Sequence, residues 1–223
     1  MARLDLTRHP HGHGIINTQP SCEYFMSNSI QPFPSISIAD AQRDMRSGYY
    51  GGAPGMLTSA LMWLVAGVVA ARISPERAVW ALFLGGMLIH PVSVLLTKAL
   101  GRRGKHASGN PLASLAMATT FWLILSCPMA YSVSLLHIEW FFPAMMCVIG
   151  SRYLCFSTLF GGRVYWLCGG ALIIAGCLFG RAYALPAISA FAGATIEVIF
   201  AIAIFRSERE AAACAAATLE NAG

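Results

Sequence analysis

The stretch from Trp80 to Pro111, WALFLGGMLIHPVSVLLTKALGRRGKHASGNP, restricts the fold of this chain more than any other. Its first part is an apolar span long enough to cross a bilayer, interrupted by His90 and Pro91. Its second part is a loop carrying Lys98, Arg102, Arg103 and Lys105 with no acid. The span places the chain in a bilayer, and the basic loop indicates which way round it lies.

Composition agrees. Of 223 residues, 57% are hydrophobic and 11% charged, against about 25% charged in soluble domains. The formal charge of +5 sits in short loops between apolar spans, where topology explains it better than nucleic acid does. The partner this implies is the lipid bilayer, and no nucleic acid is expected. Cys127, Cys147, Cys155, Cys168 and Cys177 lie inside apolar spans, Cys22 and Cys214 lie in the tails, and none forms a CxxC pair. They read as small packing residues in a reducing compartment, and neither a disulfide framework nor a zinc site is expected.

Residues 1–36 contain Pro, Ser, His, Asn and Gln without an apolar run, so they lack the core of a secretory signal and are expected to be a disordered extension. His9, His11 and His13 alternate with Pro and Gly and offer no fixed metal geometry; no metal and no cofactor are expected. Residues 37–52 read as a short amphipathic helix in the headgroup region. Ser37 and Asp40 suit a capping box, and Ile38, Ala41, Met45 and Tyr49 share one face.

Residues 53–206 form the transmembrane domain, with spans expected at 54–71, 77–97, 112–136, 139–160, 163–180 and 184–205. Ser74-Pro75 and Asn110-Pro111 mark two helix starts. The apolar runs do not alternate as barrel strands would. Residues 207–223 are expected to extend the last helix briefly and then fray as a flexible tail. The fold class is therefore all-α: a polytopic membrane bundle of six transmembrane helices preceded by an amphipathic interfacial helix. No sequence repeat is evident, although similar polar placement in three hairpins leaves room for a diverged one.

Arg43, Arg46, Lys98, Arg102, Arg103, Lys105, Arg163, Arg206 and Arg209 fall on the side of the N-terminus, against Arg72, Arg77 and Arg181 on the other. The bias predicts that both termini are cytoplasmic.

Three ionisable side chains interrupt the spans: His90, Arg152 and Glu197. Each lies at one depth in a span running from outside to inside, so the three are expected to form an intramembrane polar cluster, with Arg152 and Glu197 paired. An ionised group facing lipid costs at least about 2.5–3.5 kcal/mol. Ser93 and Thr97 continue a polar stripe from His90, and Pro91 is expected to open the helix beside it. Thr119, Thr120 and Ser126 are expected to line the same interior, unless their hydroxyls only bond back to their own helix. Arg102, Arg103 and Lys105 are candidates for contact with a phosphate group or an anionic phospholipid. Gly176 with Gly180, and Ala190, Gly193, Ala194 and Ala201, give small-residue faces for helix packing.

No HExxH, GxSxG, Walker loop or dinucleotide fingerprint is present, so no catalytic residue is assigned. Three functions stay open. The first is a small transporter or channel-like protein using His90, Arg152 and Glu197. The second is a non-catalytic membrane component binding a partner protein or a lipid. The third is a membrane enzyme on a lipid-soluble substrate. A homo-oligomer or a membrane partner is compatible with each.

At GGAPGMLTSALMWLVAG (51–67), MLIHPVSVLLTKALGRRGKHASGNPL (87–112) and IEWFFPAM (138–145) the chain resembles a group of small, uncharacterised bacterial multi-pass membrane proteins. The resemblance covers about 40–205 and excludes both tails. It implies a helical bundle in the bacterial inner membrane and carries over no functional residues.

Overall fold

A computed structural model describes residues 36–220; residues 1–35 of the expected extension, with His9, His11 and His13, and the last three residues of the tail lie outside the described residues. Helix α1 spans Ile38–Tyr49. The Ser37 hydroxyl accepts from the Asp40 N–H at 3.1 Å, which satisfies one of the free donors at the helix start. The helix ends where Tyr50, at φ 53°, enters the left-handed region. Gly51 and Gly52 follow at φ 60° and 77°, a conformation that glycine adopts without a Cβ penalty. The chain thereby turns into α2, Ala53–Arg72.

Then come α3, Pro75–Ala99; α4, Leu112–Leu136; a single turn at Ile138–Trp140; α5, Phe141–Phe160; α6, Val164–Arg181; and α7, Pro186–Glu220. Six helices are long and apolar enough to cross a membrane, and the fold is an all-helical membrane bundle. Two expectations change. α3 stays helical through Pro91, so the opening beside His90 does not form. α7 continues to Glu220, because the alanine-rich sequence after Arg209 has the highest intrinsic helix propensity.

Without a hydrophobic driving force between helices in lipid, close packing must hold the bundle. α5 and α6 meet through glycines: a Cβ on Gly169 would stand 2.6 Å from the Gly150 carbonyl oxygen, and one on Gly176 would stand 2.7 Å from that of Pro143. α2 and α7 meet through rings set on glycines, Trp63 over Gly193 and Phe191 over Gly67.

The packing has an internal correspondence. α2 packs on α3 and α7, whereas α5 packs on α6 and α4. Exchanging the first three transmembrane helices for the last three, α2 for α5, α3 for α6 and α4 for α7, converts one set of partners into the other. Each unit has an odd number of spans, so the two run in opposite senses, the arrangement of an inverted repeat. The correspondence is incomplete: α6 packs on α7, but α3 and α4 touch little along their length. Instead they expose Leu84, Met87 and Leu88, and Phe121, Leu125 and Met129.

At the basic end of the bundle α1 acts as a strap. Its Gln42 amide donates to the Thr158 carbonyl at 2.8 Å and its Arg46 guanidinium to that of Phe160 at 2.9 Å. These bonds cover free acceptors at the C-terminus of α5 with a favourable charge. The Tyr165 hydroxyl, at the start of α6, donates to the Gly51 carbonyl. Asp44 holds the basic loop, accepting from Arg103 Nη2 at 2.8 Å, the Ala107 N–H at 2.7 Å and Asn110 Nδ2 at 2.9 Å.

Candidate functional site

Glu197 is the one acidic side chain among the described residues that is fully buried. It sits on α7 where that helix faces both α2 and α5. Its Oε1 accepts from the Tyr153 hydroxyl at 3.0 Å. Ser59 and Trp63 of α2 also face the carboxyl, but Trp63 Nε1 and Glu197 Oε2 both lack a hydrogen-bond partner. Ser189, one turn pair earlier on α7, is buried with a hydroxyl that is likewise unpaired. Such orphaned polar atoms each carry a desolvation cost of about 1–3 kcal/mol. The site is therefore polar, sealed and incompletely satisfied.

The helices bring these groups together through their small residues. Gly193 and Ala194 let α2 approach α7, which seats the Trp63 indole one turn from Glu197. On α5, Met145, Ile149 and Tyr153 recur at the helical period and face inward.

Arg152 follows Phe141, the first residue of α5, by eleven positions, as Glu197 follows Pro186 of α7, and the two helices run the same way. The two thus stand at the same count from their helix starts, but the expected ion pair does not form. Among the described residues the ion pairs are Arg43 with Asp40 and Arg103 with Asp44, both outside the spans. The reason is rotational: one residue is a turn of about 100° around a helix, so Tyr153 points at Glu197 while Arg152 points at α4. There its Nη2 donates to Thr120 Oγ1 at 3.3 Å, and its guanidinium lies 5.3 Å from the centre of the Phe156 ring. Its Nε has no partner.

His90 does not join the cluster. It is exposed on the outer face of α3, away from the groups around Glu197. Ser93 donates to the His90 carbonyl at 2.8 Å and Thr97 to that of Ser93 at 2.7 Å. Thr119 and Ser126 are buried, and both donate to backbone carbonyls of α4, those of Ala116 and Trp122. These hydroxyls satisfy themselves and leave no donor free for a ligand. In the basic loop Arg103 is bound to Asp44, Arg102 lies over the Tyr50 ring at 4.9 Å, and Lys105 is exposed. Among the described residues no group of three or more His, Cys, Asp and Glu side chains is placed to hold a metal ion.

Tyr153, Trp63 and Ser59 are the site residues that attention to ionisable groups missed. The signal was present in span four, where Tyr153 shares the inward face of Met145 and Ile149 and Arg152 does not.

No curated protein matches this chain, and no solved structure does. A family model does: residues 38–207, the strap helix and all six spans, match the family of unknown function DUF7010. The match leaves out residues 1–37 and the distal part of α7, and on it the chain belongs to that family.

Proposed function

We propose that the protein is a small carrier of the bacterial inner membrane, with both termini cytoplasmic, in which the Glu197 carboxyl binds a proton or the polar group of a solute. One observation carries this reading: a carboxyl with a free oxygen is sealed where α7, of the second three-helix unit, meets α2 of the first. Carriers built from inverted units place their sites near the midplane at the interface between units, and an intramembrane acid is costly enough to suggest function. Tyr153 then positions the carboxyl, and Ser59 and Trp63 supply donors that a second state engages. Arg152 contributes positive charge at the same depth without neutralising Glu197 in a fixed pair.

The test is labelling of the full-length protein in liposomes with dicyclohexylcarbodiimide, which attacks a carboxyl that holds a proton in an apolar site. The expected result is modification of Glu197 that accelerates as pH falls and is slowed by a transported solute. Absence of modification at every pH in intact, folded protein contradicts the proposal.

A second reading rests on the complete burial of Glu197. In it the Tyr153–Glu197 bond only locks α5 to α7, in a non-catalytic component that binds a partner or lipid. Glu197 then stays unlabelled, and Glu197→Gln, which can still accept from Tyr153, has no effect beyond stability.

A further inference from the structure

Between α2, α3 and α7 the bundle surface carries a groove of about 770 Å³, lined by Leu57, Leu61, Leu95, Ala99, Thr195 and Ile199 among others. Its volume is within the range of about 300–1,000 Å³ found for small-molecule sites. Its lining is almost wholly apolar: the Thr195 hydroxyl donates to its own helix, to the Phe191 carbonyl at 2.8 Å. Along α7 the groove is lined by Thr195 and Ile199, and the same helix face continues beyond it through Ile202 to Arg206 and Arg209. At the other lip α3 ends in Lys98 and Ala99. Arg102 is held nearby, because its guanidinium lies over Tyr50, whose ring is 5.1 Å from that of Phe205. Lys98 thus adjoins the lining at Ala99, and Arg206 and Arg209 lie beyond Ile199 on the same face of α7, toward the end of the bundle where Arg102 is held. None of these has an acidic partner among the described residues. Glu208 turns inward toward Gly51, and Glu210 pairs with neither arginine of α7.

We infer that this groove is a specific site for an anionic glycerophospholipid, with one acyl chain between α3 and α7 and the phosphate among the cations at the mouth. An apolar groove with unpaired positive charge beyond one end matches a molecule that is apolar over its length and negative at one end. A zwitterionic lipid fills the channel but gains less at the mouth. A soluble phosphate has nothing to place in the channel. None of Glu197, Tyr153, Trp63 and Ser59 lines the groove, so the site stands or falls independently of the carrier reading.

The experiment uses the full chain purified in detergent and stripped of lipid, with binding read by native mass spectrometry and thermal unfolding. The probes are phosphatidylglycerol, phosphatidylcholine and inorganic phosphate. Phosphatidylglycerol is expected to bind as a single tight adduct and raise the melting temperature more than phosphatidylcholine does. In the double variant R206Q/R209Q its affinity should fall about 10–30-fold, with phosphatidylcholine unaffected. In Thr195→Phe, which fills the channel at a lipid-exposed position, both lipids should lose the site. Equal binding of the two lipids to the wild-type protein overturns the inference, as does a shift reproduced by inorganic phosphate alone. A dimer in the wild-type spectrum that Thr195→Phe converts to monomer overturns it too, because the groove is then an interface between copies.

Discussion

The direction in which each side chain leaves α5 decides its electrostatic partner: Tyr153 reaches the buried acid, and Arg152, one position earlier, reaches a threonine on the opposite neighbour. This predicts how the stability of the site divides. Tyr153→Phe leaves Glu197 Oε1 without its donor and should destabilise by about 1–3 kcal/mol. In double-mutant cycles read by thermal unfolding, Tyr153→Phe with Glu197→Met, which removes the acceptor, should show an interaction of about 0.5–3 kcal/mol, and Arg152→Met with Glu197→Met a smaller one. A stronger coupling to Arg152 than to Tyr153 contradicts the geometry around the carboxyl.

At the scale of elements, two contacts assemble the bundle, and each makes a separate prediction. The α5–α6 seam depends on the absence of side chains, since the nearest atom to a Cβ on Gly169 is backbone and cannot turn away. Gly169→Ala should therefore cost about 1–3 kcal/mol through forced separation of the helices. Gly86→Ala, where a Cβ meets nothing within 4 Å, should cost nothing and by helix propensity gain slightly. Thermal unfolding of the two variants in one detergent compares them. The second contact is the hold of α1 on the basic loop through Asp44. Burial raises the proton affinity of this carboxyl, but the Ala107 N–H, the Asn110 amide and the Arg103 guanidinium outweigh it and hold Asp44 below its ordinary value of 3.8. A carboxyl depressed in the folded state stabilises above its unfolded value and loses that contribution as pH falls through the folded one. Asp44→Ala should thus cost about 1.5–3 kcal/mol at neutral pH. The melting curves of variant and wild type should converge toward acid, below the ordinary carboxylate value, and a gap independent of pH would rule out the charged interaction.

At the scale of the whole molecule, the nine-to-three bias of Lys and Arg predicts both termini on the cytoplasmic side. Reporter fusions after Arg102 and after Arg206 should both give cytoplasmic signals, and a periplasmic signal at either inverts the proposed orientation. The number and limits of the spans were readable because apolar length and proline-capped starts are local properties: Ser74-Pro75 begins α3, and Leu112–Leu136 is the helix expected there. What Asp44 holds was not readable. A polar residue on an amphipathic helix looks alike whether it meets water, lipid headgroups or a loop some 60 residues later in the chain, as Arg103 is. The site was half readable for the same reason. Counting residues gives a position along each helix, and it puts Arg152 and Glu197 at equal distances from their helix starts. Azimuth follows from which neighbour a helix faces, and that assigned His90 to the outer surface and Tyr153 to the carboxyl. The correspondence between α2–α4 and α5–α7 left no trace in sequence similarity, since packing of small residues preserves shape without preserving identity.

The central claim is that Glu197 occupies a site that opens in turn to the two sides of the membrane. Ser59 reports on it, being buried on α2 beside the carboxyl and nearly the size of cysteine. With the native cysteines replaced, Ser59→Cys in sealed, oriented vesicles should react with a membrane-impermeant thiol reagent added from either side. Reaction from neither side, in protein shown to be folded, would mean that the site never opens and that the Tyr153–Glu197 bond is only a structural lock.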